Sequence, residues 1–458
     1  MTSTRRLAVG AVFGLLVVPL MSLWIGCARG TPAAPSNASR IRTLHVLTPH
    51  SEETRTAFAS GFSTWCLANY GQQVHVNYVY RGTPECVEFA RQAPQQRAAG
   101  APGIVADVLF GGGIADHAEL AAAGLSRPIR LRDERGGPGP LVQGLPTRDP
   151  DLRWMATSLN TFGIVCNEAA CAARGITPPA TWTDLAEPRL YGWLSIANPR
   201  YSGSHREAMV LILTHLGWEP GWGVLIRALA NARALESRSG DALRQVRSGA
   251  ALATLAVNSD GLSLAEGSKG ALRYVDPPGA TAASPNLISI LAAGENQDLA
   301  DLFVLYVIGE PGQALWGVRG DLRHPAGRSL YHYPISEATY AQYGSDLCLA
   351  RNPFTEQFGL TLDASVSRKM GRLVQCLVEA ACGPNHVPLQ LTWEALIARG
   401  LPPEPLAELL APPFDAATAQ ALGDQLAGAS EEEVAARMHD WSALFAEKYA
   451  RVRKMLGE

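Results

Sequence analysis

Residues 201–206 read Tyr-Ser-Gly-Ser-His-Arg, just after an apolar run through Trp193, Leu194 and Ile196 breaks at Asn198–Pro199 and just before an apolar-rich helix pattern. A helix start exposes backbone N–H groups and the positive end of its dipole, so Ser202, Gly203 and Ser204 are placed to hold an anion. The same hydroxyls suit an ordinary N-cap, and both roles stay open. No set of residues that could catalyse accompanies them. The chain has no Gly-x-Ser-x-Gly elbow, no His-Glu-x-x-His, no Walker loop and no strand-linked Gly-x-Gly-x-x-Gly. The glycines of GGPGPLVQG fall in a proline-rich stretch and mark turns. The residues point to binding, with no enzyme activity expected.

The elements that must carry these residues alternate. TLHVLTP is strand-like. SEETRTAFASGFSTWCLANYG follows as a helix, with Ser51, Glu53 and Thr54 near its start and Phe58, Phe62 and Trp65 on one face. QVHVNYVYR alternates again, placing Val74, Val76, Tyr78 and Tyr80 on one side. After a polar helical piece, IVADVLFGGG reads as a buried strand ending in glycines and DHAELAAAGL as a helix. Residues 126–153 are rich in proline, glycine and charge, as in a loop or hinge approach. WMATSLNTFGIVCN is one strand-like run, and strands and helices continue to alternate to NQDLADLFVLYVIGEPGQALW, a helix with Leu299, Leu302, Phe303 and Tyr306 on one face. This order predicts an α/β fold with a largely parallel sheet. Beyond about residue 360 the pattern is mostly helical. Ser430 and Glu433 form a capping box there, with Val434, Met438, Trp441, Leu444 and Phe445 as the expected buried stripe.

With 39 Lys+Arg against 42 Asp+Glu, a net charge of -3 and no basic stretch interleaved with aromatics, no nucleic-acid partner is expected. The N-terminus carries Arg5 and Arg6, the apolar run LAVGAVFGLLVVPLMSLWIG and then Cys27. That order is a secretory signal, with a membrane anchor as the alternative because the run could span a bilayer. Gly26–Cys27 resembles a bacterial lipobox in which the cysteine is lipidated, although Trp24 stands where leucine is usual. ARGTPAAPSNASR then has the composition of a tether. Seven cysteines remain in an exported chain (Cys66, Cys86, Cys166, Cys171, Cys348, Cys376 and Cys382), so disulfides are permitted. Cys166–Cys171 and Cys376–Cys382 are close enough in sequence to pair, Cys66–Cys86 is a third candidate, and the odd count leaves at least one thiol over, with the connectivity open. Cys376, Cys382 and His386 could look like metal ligands, but a disulfide or core thiols suit them better, and neither a metal nor a cofactor is expected.

The ordered set VLTPHSEETRTAF, VYRGTPE, ADVLFGGG, SLNTFGIVCN, IANPRYSGSHREA, LANARALESRSGDALRQVRSGAALATLAVNSDG and VDPPGATAASPNLISIL with NQDLADLFVLYVIGEPGQALW resembles the bacterial extracellular solute-binding proteins of ABC importers. The branch is the one that takes ferric iron, phosphonates or sugar phosphates, and the likeness covers about residues 40–325. The resemblance implies a two-lobed periplasmic-binding-protein fold with mixed sheets in each lobe and a helical C-terminal extension. It gives a signal peptide at 1–27, a tether at 28–42, a first lobe at 43–155 resumed at 277–330, a second lobe at 156–276 and a helical region at 331–458 packing on the lobes. Cleft-lining loops follow the carboxyl ends of strands in such folds. That rule nominates His50 and Ser51, Arg81, Gly82 and Thr83, Gly111, Gly112 and Gly113, Ser202, Gly203 and Ser204, and Asp260 as ligand-binding. It also implies an envelope location, a lipid tether through Cys27, an ABC permease as partner and a monomeric receptor. Ferric binders of this branch commonly use adjacent tyrosines where this chain has Ser259–Asp260, and no Tyr-Tyr pair occurs. A small solute bearing phosphate, phosphonate or carboxylate is therefore expected ahead of bare iron, with a two-lobed sensor or envelope enzyme as the other alternative.

Overall fold

The computed structural model describes residues 41–98, 103–130, 138–323 and 327–458; Cys27, the signal segment and most of the tether lie outside them. The chain opens with strand β1 (Arg42–Thr48), helix α1 (Glu52–Tyr70), β2 (Val74–Tyr80), α2 (Thr83–Ala98), β3 (Val108–Phe110), α3 (Ile114–Ala122) and the two-residue β4 (Ser126–Arg127). Helix α1 starts where the Ser51 hydroxyl accepts from the Thr54 N–H at 3.4 Å and stops at Gly71, whose φ of 63° turns the chain out of the helix. Its Phe58 and Phe62 are fully buried, each contributing on the order of 2–3 kcal/mol of apolar burial.

A short hairpin, β5 (Leu141–Val142) and β6 (Leu145–Pro146), leads to β7 (Met155–Asn160) and β8 (Phe162–Asn167). The sequence reads these two strands as one run, but they lie in different sheets, and the break at Thr161 carries the chain from one to the other. Then come α4 (Glu168–Ala172), β9 (Leu194–Ala197), α5 (Gly203–Leu216), α6 (Trp218–Asn231), β10 (Ala232–Glu236), α7 (Ser239–Arg247), β11 (Ala253–Val257), α8 (Asn258–Glu266) and β12 (Leu272–Val275). The return passes through β13 (Thr281–Ala282) into β14 (Ser284–Leu291), α9 (Gln297–Ile308), α10 (Glu310–Gly317), α11 (Gly320–Arg323), β15 (Tyr333–Pro334) and α12 (Glu337–Tyr343). The last expected single helix is thus two, parted at Gly309. Strand β16 (Gly359–Leu360) and helices α13 (Ala364–Cys382), α14 (His386–Ala398), α15 (Pro403–Leu410), α16 (Ala416–Leu426) and α17 (Glu431–Met455) complete the chain.

The fold is two-lobed α/β with a mixed sheet in each lobe. The first sheet runs β15-β7-β14-β3-β1-β2, with β4 also on β14; β1 pairs in parallel with β2 and β3, whereas β14 is antiparallel to β3 and β7. The second runs β10-β9-β11-β8-β12, with β8 antiparallel to both neighbours. The two crossings are stitched to each other. Thr161 Oγ1 donates to Asp276 at 2.8 Å, and Thr281 Oγ1 donates to the Phe162 carbonyl at 2.7 Å.

Helices α13–α17 share one core with the second sheet, where Trp393, Trp441 and Phe445 join Trp182 and Trp222. The capping box at Ser430 and Glu433 is present, and Val434, Trp441 and Phe445 are buried as expected. Leu444 is not: it is 48% exposed, and Tyr449 and Val452 extend the stripe instead. None of the three cysteine pairings forms. Cys66 and Cys86 sit in separate cores, the Cys166 thiol donates to the Pro179 carbonyl at 3.1 Å, and Cys382 is a free thiol. Six residues apart on one helix, Cys376 and Cys382 are about 9 Å apart along its axis, too far for a disulfide. Among the described residues no helix is long and apolar enough to cross a membrane.

Candidate ligand-binding cleft

Between the two sheets lies a cleft of about 920 Å³, including the open space at its mouth. The N-terminal ends of six helices line it: α1 through Ser51 and Thr54, α2 through Gly82 and Thr83, α3 through Gly113 and Asp116, α5 through Ser202 to Ser204, α7 through Arg238 and Ser239, and α8 through Ser259 and Asp260. Each follows a strand carboxyl end, and the six positive dipole ends converge on one space.

The structure brings together His50, Ser51, Gly82, Thr83, Gly112, Gly113, Ser202, Gly203, Ser204 and Asp260. Arg81 and Gly111 do not line the cleft. The Arg81 side chain is exposed and turns back to donate to the Tyr80 carbonyl at 2.9 Å. Gly111 lies behind the wall at a φ of +102°, where a Cβ would come within 2.8 Å of His50 Nε2; glycine is required there by the packing of a ring. The run 111–113 is also less open as an anion cradle than its glycines suggest. The Gly111 N–H donates to Leu287 at 2.7 Å and the Gly113 N–H to Asp116 at 3.2 Å.

The second wall differs. Ser202 caps α5, accepting from the His205 N–H at 3.3 Å, and its hydroxyl lies 3.3 Å from that of Ser204. The N–H groups of Gly203 and Ser204 precede any intrahelical acceptor, and both residues line the cleft. No acidic residue stands in the first turn of α5. Ser-Gly-Ser thus caps α5 with one hydroxyl and brings no negative charge to its first turn.

Several cleft residues carry no local motif. Asn160, Asn286 and His332 line its back, with His332 Nδ1 3.1 Å from the Ser158 hydroxyl and its ring 4.2 Å from Trp316. Asn160 Oδ1 and His50 Nε2 are buried without a hydrogen-bond partner. Burial holds His50 neutral, pushing its pKa down to about 3 with Arg55 assisting. Tyr80 lies under Arg55 and Arg238, at 4.6 and 5.5 Å from its ring centre. Among the described residues the Asp260 carboxyl makes no ion pair, and burial, with Glu53 adding repulsion, raises its pKa to about 6.

The cleft's cations are Arg206, in the first turns of α5, and Arg238, the residue before α7; each pairs with a first-lobe carboxylate. A readable signal exists for those carboxylates: Gly82-Thr-Pro-Glu85 and Gly113-Ile-Ala-Asp116 both place an acid three residues after a helix-opening glycine, the spacing of a capping box. Among the described residues no group of three or more His, Cys, Asp or Glu side chains is placed to hold a metal ion.

Comparison with known proteins matches residues 142–330 to the family described as bacterial extracellular solute-binding protein. The phosphoglycerate transport regulatory protein PgtC of Salmonella typhimurium is 25% identical over 272 residues, 58% of this chain; the match spans 64% of that protein's length. Among solved structures, the periplasmic binding protein AfuA of Actinobacillus pleuropneumoniae with bound fructose-6-phosphate is similar at a TM-score of 0.58 and 19% identity, covering 74% of this chain and 98% of AfuA. Iron-bound HitA of Pseudomonas aeruginosa is similar at 0.52 and 19%, covering 73% and 99%. At these identities the solved structures speak for the fold alone.

Proposed function

We propose, from the premise that this chain's central segment is that of a bacterial extracellular solute-binding protein set in a periplasmic-binding-protein fold, that it is the receptor of an ABC importer and captures a small phosphorylated organic anion. The observation that carries this reading is the convergence of helix N-termini on one cleft, with α5 left open by Ser202, Gly203 and Ser204. His50, Asn160 and Asn286 supply uncharged polar groups that suit hydroxyls on the same ligand. PgtC is named for phosphoglycerate, which supports a phosphate ester over ferric iron. Burial raises the pKa of the Tyr80 phenol, which works against a phenolate for iron.

In this reading the two lobes close about the crossings at Thr161 and 276–283. The expected boundaries at 155/156 and 330/331 shift, because β7 to Asn160 and β15 at Tyr333–Pro334 belong to the first lobe's sheet, and the helices from α13 onward pack on the second lobe. The receptor is a monomer in the cell envelope, tethered through a lipid on Cys27, and hands its solute to a membrane permease. It catalyses no reaction and needs no cofactor.

A thermal-shift series on the purified chain tests this, using 3-phosphoglycerate, fructose 6-phosphate, inorganic phosphate and ferric citrate. A phosphate ester at 100 times its dissociation constant raises stability by about 2.7 kcal/mol. A shift with ferric citrate alone would sink the reading.

A further inference from the structure

Two ion pairs run from one lobe to the other at the cleft, and both are built the same way. In α2, the Glu85 carboxylate accepts from the Gly82 N–H at 2.9 Å and meets Arg238 of the second lobe at 3.5 Å. In α3, the Asp116 carboxylate accepts from the Gly113 N–H at 3.2 Å and meets Arg206 of the second lobe at 3.1 Å. Each acid therefore caps its own helix and reaches across to an arginine at the start of a facing helix. The inner pair is sheltered, with side chains 9% and 11% exposed, while the outer pair is 35% and 38% exposed.

The backbones also meet between the pairs. A Cβ on Gly82 would fall 2.3 Å from the Tyr201 carbonyl oxygen, and one on Gly203 would fall 3.1 Å from Thr83 Cβ. Behind the inner pair, α13 packs on the arginine: a Cβ on Gly371 would lie 3.4 Å from Arg206 Cδ, and the Ser367 hydroxyl donates to Glu207 at 2.6 Å. The C-terminal helical region thus fixes the direction in which Arg206 points.

We propose that Glu85 and Asp116 are the latch of the cleft, holding the lobes together through Arg238 and Arg206, with the inner pair braced by α13 and setting how long a solute is retained. This rests on the reading of the cleft as the solute site. The latch contacts are made wholly by the chain's own groups, so they close the lobes whether or not solute is bound. Breaking one partner of a sheltered pair acts mainly on the dissociation rate, whereas the outer pair is screened by salt.

The test combines small-angle scattering of the full chain with stopped-flow release of 3-phosphoglycerate. The variants are Glu85→Gln with Asp116→Asn, Gly82→Ala, Glu85→Arg, and Glu85→Arg with Arg238→Glu. Asparagine and glutamine keep an acceptor for the helix cap while removing the charge. The expected result is a larger radius of gyration for the double neutral variant and for Gly82→Ala, with release about tenfold faster or more. By scattering, Glu85→Arg opens the lobes and Glu85→Arg with Arg238→Glu closes them again. The latch is overturned if the double neutral variant scatters like the parent, including the case in which Gly82→Ala alone opens the lobes. If 3-phosphoglycerate and the other phosphate esters fail to bind, the proposed function has failed, and scattering still decides the latch.

Discussion

On the first wall of the cleft, α2 and α3 each begin with a glycine whose N–H is taken by an acid three residues on, Glu85 or Asp116. On the facing wall α5 begins with Ser-Gly-Ser, is capped by a hydroxyl and has no acid in its first turn. In α7 the first-turn acid, Asp241, is engaged with Arg244, and in α8 it is Asp260, which makes no ion pair among the described residues. Every one of these helices presents its positive end to the same space, but in α2 and α3 a carboxylate is folded back against that end, whereas α5 has no acid in its first turn. The difference lies in side-chain chemistry: a carboxylate at the third position fills a helix end from within, while a serine cap satisfies one N–H and leaves the dipole uncompensated.

The sharpest way to break that contrast is to give α5 the first wall's arrangement. Ser204→Asp places a carboxylate among the open N–H groups. Binding of 3-phosphoglycerate, measured by calorimetry, falls by about 100-fold or more, equivalent to roughly 3 kcal/mol. The unliganded protein is stabilised in the same variant, by about 0.3–1 kcal/mol, because the new charge complements the dipole. Opposite signs in the two measurements separate an occupied anion site from a damaged helix. A loss of both would mean that the serine is structural only.

Much of this arrangement was legible in the sequence, for identifiable reasons. Strand and helix periods are local, so α1, β2 and the Ser430 capping box follow from neighbouring residues. The strand-end rule found the loops at His50, Gly82, Gly112, Ser202 and Asp260, because chain direction fixes where loops emerge. What it could not find were the partners. Asp116 and Arg206 are 90 residues apart and Glu85 and Arg238 farther, so their pairing depends on how two lobes face each other. Arg81 was a natural candidate from its position beside Gly82, but a neighbouring carbonyl takes its guanidinium. Thr161 breaks WMATSLNTFGIVCN without glycine or proline, since the reason for the break is a change of sheet. His332 enters the cleft from beyond the family-like segment, carried there by packing on Trp316.

Asp260 sharpens the comparison within the second wall, because it is an acid at a helix start with no ion-pair partner among the described residues. Its pKa is about 6 in the folded protein and about 3.8 in its ordinary state. Between those values the folded state binds the extra proton, so stability decreases as pH rises through that window and the full penalty is present above about pH 6. Asp260→Asn removes the penalty and stabilises the unliganded protein by about 1–2 kcal/mol at pH 7.5, and by progressively less toward pH 4, as read by urea unfolding. An equal effect at both pH values would show that the carboxyl is not destabilised by burial.

The smallest effect compares two serine caps, one in the cleft and one far from it. Ser202 accepts from the His205 N–H and Ser430 from the Glu433 N–H, both at 3.3 Å, so replacing either with alanine costs about 1 kcal/mol in urea unfolding. Solute binding separates them. Ser430 caps α17 at an exposed position of the helical region, away from the cleft lining, and Ser430→Ala leaves the affinity for 3-phosphoglycerate unchanged. Ser202→Ala also removes a hydroxyl donor from the cleft wall and lowers that affinity by about tenfold, since a hydrogen bond to a charged group contributes about 1.5 kcal/mol or more. Ser202→Gly keeps most of the helix stability, because glycine is a tolerable cap, but not the hydroxyl. Its affinity loss therefore matches that of Ser202→Ala if the hydroxyl contacts solute, and vanishes if Ser202 serves the helix alone.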